Sequence, residues 1–180
     1  MHIRALAIFC GSKVGKNQLY MQHAKQLGNI LAEHNIALIY GGGKNGLMGS
    51  VADNALQRGG IVKGVIPRIL IDQEHQHDGL MELLVVEDMH QRKRMLYELC
   101  DAAVILPGGF GTLDEMFEII TWNQLTIHDK RIFILNSGGF YDALLQHLYK
   151  MKEEEFLYAA LEDCVTVLRD PDDIIQYIKN

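Results

Sequence analysis

Nine residues, Pro107–Glu115, read PGGFGTLDE and bring together the types that handle an anionic ligand. Gly108, Gly109 and Gly111 let the backbone turn tightly and approach a ligand with no Cβ in the way. An apolar run, AAVIL at 102–106, precedes them, and an apolar helical pattern at 116–125 follows. That order predicts strand, glycine loop, helix, with Pro107 ending the strand. A helix start aims unpaired N–H groups and the positive end of its dipole into such a loop, which suits phosphate. Thr112 adds a hydroxyl, and Glu115 puts a carboxylate one turn into the helix. The same residues have a plainer reading, because Thr112-x-x-Glu115 is also a capping box. A cap needs no glycines upstream, whereas a backbone cradle does.

A second cluster is Asp88-Met89-His90-Gln91-Arg92-Lys93-Arg94. Asp88 is a good helix cap. Met95, Leu96 and Leu99 mark the buried side of the helix, and Arg92 falls on the same stripe. A cation there needs either a buried carboxylate partner or an anionic ligand. The stretch by itself leaves both open.

Gly41-x-Gly43-x-x-Gly46 has the spacing of a dinucleotide fingerprint. That fingerprint also requires an acid at the end of the next strand, to hold a ribose hydroxyl. The next strand ends Gly64-Val65-Ile66-Pro67, so a dinucleotide cofactor is disfavoured. The loop is expected to be either a second backbone cradle or a tight turn. Glu74-His75-Gln76-His77-Asp78 has no partner ligands at a familiar metal spacing and reads as a solvated loop, with no metal site.

These groups are carried by alternating strands and helices. Strands are expected at residues 3–10, 36–40, 61–66, 82–86, 102–106, 131–135 and 165–168. Helices are expected at 20–34, up to about 57 after the second glycine turn, at 89–99, 116–125, 140–152 and 171–179. Residues 68–80 read as a polar loop. This alternation predicts an α/β fold, a doubly wound parallel sheet in a single domain. Ligands on such sheets bind at the strand carboxyl ends. The turns at Gly11, Gly41–Gly43 and Gly108–Gly111 all fall there and are expected to line one pocket.

Composition agrees with a single globular domain: 180 residues, 48% apolar, 22% charged. A net charge of −6 argues against a broad nucleic-acid footprint. Cys10, Cys100 and Cys164 are odd in number and widely spaced, which favours reduced thiols in the cytoplasm. The apolar run at 5–10 is too short for a signal-peptide core or a membrane span.

PGGFGTLDE matches the PGGxGTxxE signature of the Lonely Guy (LOG) family of cytokinin riboside 5′-monophosphate phosphoribohydrolases. The element at Asp88–Lys93 resembles that family's D-M-H-x-R-K. GGGKNGLMG, Phe9-Cys10-Gly11-Ser12, GVIP at 64–67 and IITWNQLTIHDK at 119–130 extend the resemblance over nearly the whole chain. One departure is Lys13, where the family usually has a second serine. The resemblance implies a Rossmann-like fold and a homodimer. It implies cleavage of a nucleoside 5′-monophosphate to free base and ribose 5-phosphate. The chemistry expected of such a site needs no metal or redox cofactor.

Carried over by position, Arg92 and Glu115 correspond to the family's catalytic pair. Lys93, Glu74, Met89 and the loop Gly108, Gly109, Phe110, Gly111, Thr112, Leu113 and Asp114 are substrate-binding candidates. Gly11, Ser12, Gly42 and Gly43 join them from the other turns. Family members have been labelled lysine decarboxylases, yet the chain holds no pyridoxal-phosphate lysine motif. The rival readings are an AMP nucleosidase and a non-catalytic nucleotide carrier.

Overall fold

A computed structural model describes residues 2–71, 76–77 and 79–178. Glu74 and His75, named above, lie outside the described residues. Seven strands form one parallel sheet: β1 Ala5–Phe9, β2 Ala37–Tyr40, β3 Val62–Pro67, β4 Glu82–Val86, β5 Ala102–Ile105, β6 Arg131–Leu135 and β7 Thr166–Leu168. Their spatial order is β4-β3-β2-β1-β5-β6-β7. The helices are α1 Gln18–Glu33, α2 Gly46–Gln57, α3 Met89–Leu99, α4 Phe110–Gln124, α5 Asp142–Glu153 and two short ones, α6 Leu161–Cys164 and α7 Ile175–Ile178. None of the described helices is long and apolar enough to cross a membrane.

The continuous apolar runs become strands buried on both faces. Leu6 and Ile8 of β1 point to one side, where Ala24, Leu27 and Leu31 of α1 and Val51 and Ala55 of α2 meet them. Ala7 and Phe9 point to the other, against Leu96 and Tyr97 of α3, Met116 and Ile119 of α4 and Leu145 of α5. Each large aliphatic side chain removed from water in these two layers contributes about 1.5–3 kcal/mol. That burial fixes the register, since a one-residue slip would exchange the two sets.

The strand order reverses at β1. The chain runs outward through β2 and β3 to β4, then returns to place β5 on the other side of β1, with Phe9 beside Ile105. This is the switch point where an open α/β sheet leaves a crevice.

Two expectations change. The helix expected at 116–125 begins at Phe110, with Gly109 as its N-cap and Leu113 N–H bonded to Gly109 O at 3.1 Å. Thr112 is therefore inside the first turn and buried, so no Thr112–Glu115 capping box forms. The periodicity missed this turn because its residues face a cavity and not the core. The described part of the loop expected at 68–80 is also more structured than its polarity suggests. Arg68–Leu70 forms a 3-10 turn, Gln76 bridges Gly43, and His77 is buried. His77 N–H bonds Gly42 O at 3.0 Å; its Nδ1 accepts from Gly79 N–H at 3.1 Å, and its Nε2 lies 2.9 Å from Asp53 Oδ1. These bonds tie the segment to α2, which replaces the solvated-loop reading.

Candidate active site at the carboxyl ends of β1 and β5

A cavity of about 580 Å³ opens at the switch point. Its floor is the junction of the first and third glycine turns, joined by Gly11 N–H to Pro107 O at 3.0 Å. Gly11 and Ser12 line one side, and Gly108, Gly109, Phe110, Gly111 and Thr112 the other. Met89 and Arg92 of α3 and Asp114 and Glu115 of α4 complete the polar wall. A second cleft of about 770 Å³ lies at the opposite, amino ends of β6 and β7, beside Arg131 and Thr166. It gathers none of the glycine turns.

The second glycine turn does not line the cavity. Its helix, α2, donates Leu47 N–H to Gly11 O at 3.0 Å and points Met48 N–H at the same oxygen from 3.4 Å. The N–H groups that would meet a pyrophosphate in a dinucleotide site here brace the first turn instead. Gly46 has φ +63°, and a Cβ on it would strike the Ser12 backbone. Gly42 and Gly43 are buried and hold residues 76–77 through Gly42 O and the Gly43–Gln76 bridge. Gly41 lies directly behind Arg92, whose Nη2 occupies the place a Cβ would take.

Arg92 is only 5% exposed, reaching the cavity from the first turn of α3. Asp88 starts that turn, accepting from Gln91 N–H at 2.8 Å. Lys93, the next residue, turns away from the cavity. Its Nζ lies 2.7 Å from Asp114 Oδ2 and 3.4 Å from Glu118 Oε2. Burial opposes its charge, but these carboxylates outweigh burial and raise its pKa. Leu113 packs into the core beneath α4 and is not in the cavity wall.

Glu115 is felt on the far side of the cavity. Burial, and after it the Glu115 carboxylate, pushes the Cys10 thiol far above its ordinary range. Cys10 lines the cavity as a protonated thiol, which is no nucleophile.

Tyr20, Leu47, Met48, Leu70 and Phe140 also line the cavity and were not singled out from the sequence. Leu47 and Met48 follow the second glycine turn directly, so their position was a usable signal. Phe140 carried none. It reaches the cavity only because β6 lies beside β5, which strand order alone reveals. Tyr20 and Phe140 meet edge to face, with ring centroids 5.5 Å apart.

The site thus combines an open helix N-terminus, a buried guanidinium and a carboxylate around one cavity. These parts suit a phosphorylated substrate that develops positive charge on reaction. Residues 48–178 match a family model described as "Possible lysine decarboxylase". A protein of Rhodococcoides fascians named cytokinin riboside 5′-monophosphate phosphoribohydrolase is 40% identical over 178 residues, covering 98% of this chain and 90% of that protein. An Arabidopsis thaliana protein of the same name is 46% identical over 154 residues, covering 86% of this chain and 72% of its own. Among solved structures, the molybdenum cofactor binding protein of Rippkaea orientalis superimposes with a TM-score of 0.73 at 21% identity, covering 99% of this chain and 97% of its own. That likeness shows the shared Rossmann-type fold. The chain belongs to the LOG family of cytokinin riboside 5′-monophosphate phosphoribohydrolases.

Proposed function

We propose that the protein hydrolyses the N-glycosidic bond of cytokinin riboside 5′-monophosphates, which are N6-modified AMP, to free base and ribose 5-phosphate. The observation that carries this reading is one cavity holding both Arg92 and Glu115 beside the α4 N-terminus. The names of the relatives support it.

Departure of the base leaves positive charge on the ribose ring. Glu115 stabilises that charge, holds ribose hydroxyls and orients water, as carboxylates do in glycoside hydrolysis. The N–H groups at Gly109–Thr112 hold the 5′-phosphate and so fix the sugar against Glu115. Arg92 is permanently charged and a poor acid, so its part is to clamp phosphate. The proton for the departing base comes from the attacking water, taken up by the Glu115 carboxylate and passed on, while the water's hydroxyl stays on the ribose. Ser12, Met89 and Asp114 bound the substrate, and Tyr20 and Phe140 give its base an apolar wall.

A lysine decarboxylase would need a lysine placed to hold pyridoxal phosphate as a Schiff base. Among the described residues, the lysine lining this cavity is Lys13, which is exposed.

A homodimer built on α4 belongs to the same proposal. Phe110, Phe117 and Leu125 are exposed along that helix, Phe110 to 92%, and Ile127 follows them. An apolar stripe of this kind calls for a partner surface. The buried, unpaired Cys10 and Cys100 support a reducing, cytoplasmic setting.

The test is incubation of the purified protein with AMP and with N6-isopentenyl-AMP, followed by chromatography of base and ribose 5-phosphate. Release from the modified nucleotide, faster than from AMP, is the expected result. Release from AMP alone would make the protein an AMP nucleosidase. Binding without release from either would make it a carrier.

A further inference from the structure

We propose that Tyr97, Glu118 and Lys93 form a positioning strut that sets α3 against α4, and with it the placement of Arg92 relative to Glu115. The inference rests on the catalytic roles proposed above for those two residues.

Arg92 and Lys93 are neighbours on α3 but point about 100° apart, as successive helical residues must. Arg92 enters the cavity, and Lys93 reaches α4 with a side chain only 13% exposed. Tyr97 follows Lys93 by one turn on the same side. Its hydroxyl donates to Glu118 Oε2 at 2.8 Å and lies 3.3 Å from the Glu115 carbonyl oxygen. Glu118 Oε2 therefore meets both α3 groups at once, the ammonium at 3.4 Å and the phenol at 2.8 Å. Lys93 also holds Asp114, one turn earlier on α4. These four contacts reach α4 at Asp114, Glu115 and Glu118, and so bracket Glu115 from before, after and beneath.

The strut is stiff. Tyr97 is 1% exposed, and its ring is fixed edge-on by Phe9 at 6.0 Å and Trp122 at 5.1 Å. Burial, with the Glu118 hydrogen bond, raises the phenol pKa far above its ordinary value, so the hydroxyl stays a donor. A core that needed only apolar packing would be served by Phe at 97. A half-buried ion pair is weak evidence for stability, because desolvation offsets much of its attraction. Its stronger consequence here is geometric. These polar bonds join α3 to α4 directly, on both sides of Glu115. Displacement of a catalytic group by about 1 Å costs up to about 10²-fold in rate.

The experiment compares wild type with Tyr97→Phe, Glu118→Gln and Lys93→Gln in steady-state kinetics, thermal melting and hydrogen exchange of residues 110–118. Tyr97→Phe keeps the ring and removes only the hydroxyl, so it isolates the strut from the packing. The expected result is a fall in kcat of about 10-fold in Tyr97→Phe and Glu118→Gln, with KM changed by less than about 3-fold. Exchange should quicken at 110–118 and stay unchanged in α1, with melting temperatures close to wild type. Lys93→Gln should follow the same split, whereas a substrate contact would raise KM. Unchanged kcat and exchange in Tyr97→Phe, a rise in KM alone, or exchange quickened throughout the molecule would each overturn the proposal. If wild type itself turns over no nucleotide, the catalytic reading fails, and exchange at 110–118 still decides whether the strut orders α4.

Discussion

The guanidinium of Arg92 lies against Gly41, with Nη2 in the space that any side chain at 41 would fill. The second glycine turn thus serves the site from behind. It makes room for a buried cation instead of touching the ligand. Gly41→Ala should therefore push the flexible end of Arg92 aside while the fold adjusts around it. Expected are a fall in kcat/KM of about 10²-fold, the scale of losing one preorganised electrostatic group, and a melting temperature within a few degrees of wild type. Steady-state kinetics beside a thermal melt checks this. Full activity in Gly41→Ala would show that Arg92 needs no such room.

His77 is tied to α2 through Asp53 and to the second glycine turn through Gly42 O. Removing the ring leaves Gly79 N–H without its acceptor. His77→Ala is expected to cost about 1–3 kcal/mol, read as a lower urea midpoint, and to speed proteolysis between residues 71 and 79. A midpoint equal to wild type would mean that the segment is held by other contacts.

Burial lowers the pKa of His23, and the nearby Asp170 charge only partly offsets it. Its Nδ1 lies 2.8 Å from the fully buried Ser137 Oγ, so the folded protein holds the ring neutral. The unfolded chain protonates near pH 6.5, before the folded one. The contribution of His23 is thus fully present above about pH 6.5 and is lost as pH falls through the lower folded value. His128 acts in the same direction, through burial and then Lys130. Melting temperature should fall from pH 7 to pH 5, and less steeply in His23→Asn. An equal slope in both proteins would contradict this.

The three thiols should separate by reactivity. Cys100 is buried, and burial pushes its pKa up to about 11. Cys10 is buried and raised further by Glu115, while Cys164 is only half-buried. Iodoacetamide at pH 8 on the folded protein should label Cys164 and spare the other two, as read by peptide mass spectrometry. Labelling of Cys10 would show that the cavity floor opens.

The sheet was legible because its strands are apolar on both faces and separated by glycine turns. Arg92 was legible as a charge on an apolar stripe, and Pro107–Glu115 as glycines between a strand and a helix. The start of α4 was not, because its first turn faces a cavity and lacks apolar periodicity. The work of Gly42 and Gly43 was hidden too, since spacing alone does not tell where α2 sends its N–H groups. They go to Gly11 O. The pairing of Lys93, a substrate-binding candidate by resemblance, with Asp114 and Glu118, some twenty residues away in sequence, was not legible either. Such pairings depend on how two helices pack, which no local pattern records.

The most direct test is Glu115→Gln beside wild type, with base release followed by chromatography and ribose 5-phosphate binding by calorimetry. Expected are binding within about 3-fold of wild type and turnover reduced by at least about 10²–10³-fold. Turnover near the wild-type rate would remove Glu115 from the chemistry. Loss of ribose 5-phosphate binding in a folded variant would make it a binding group.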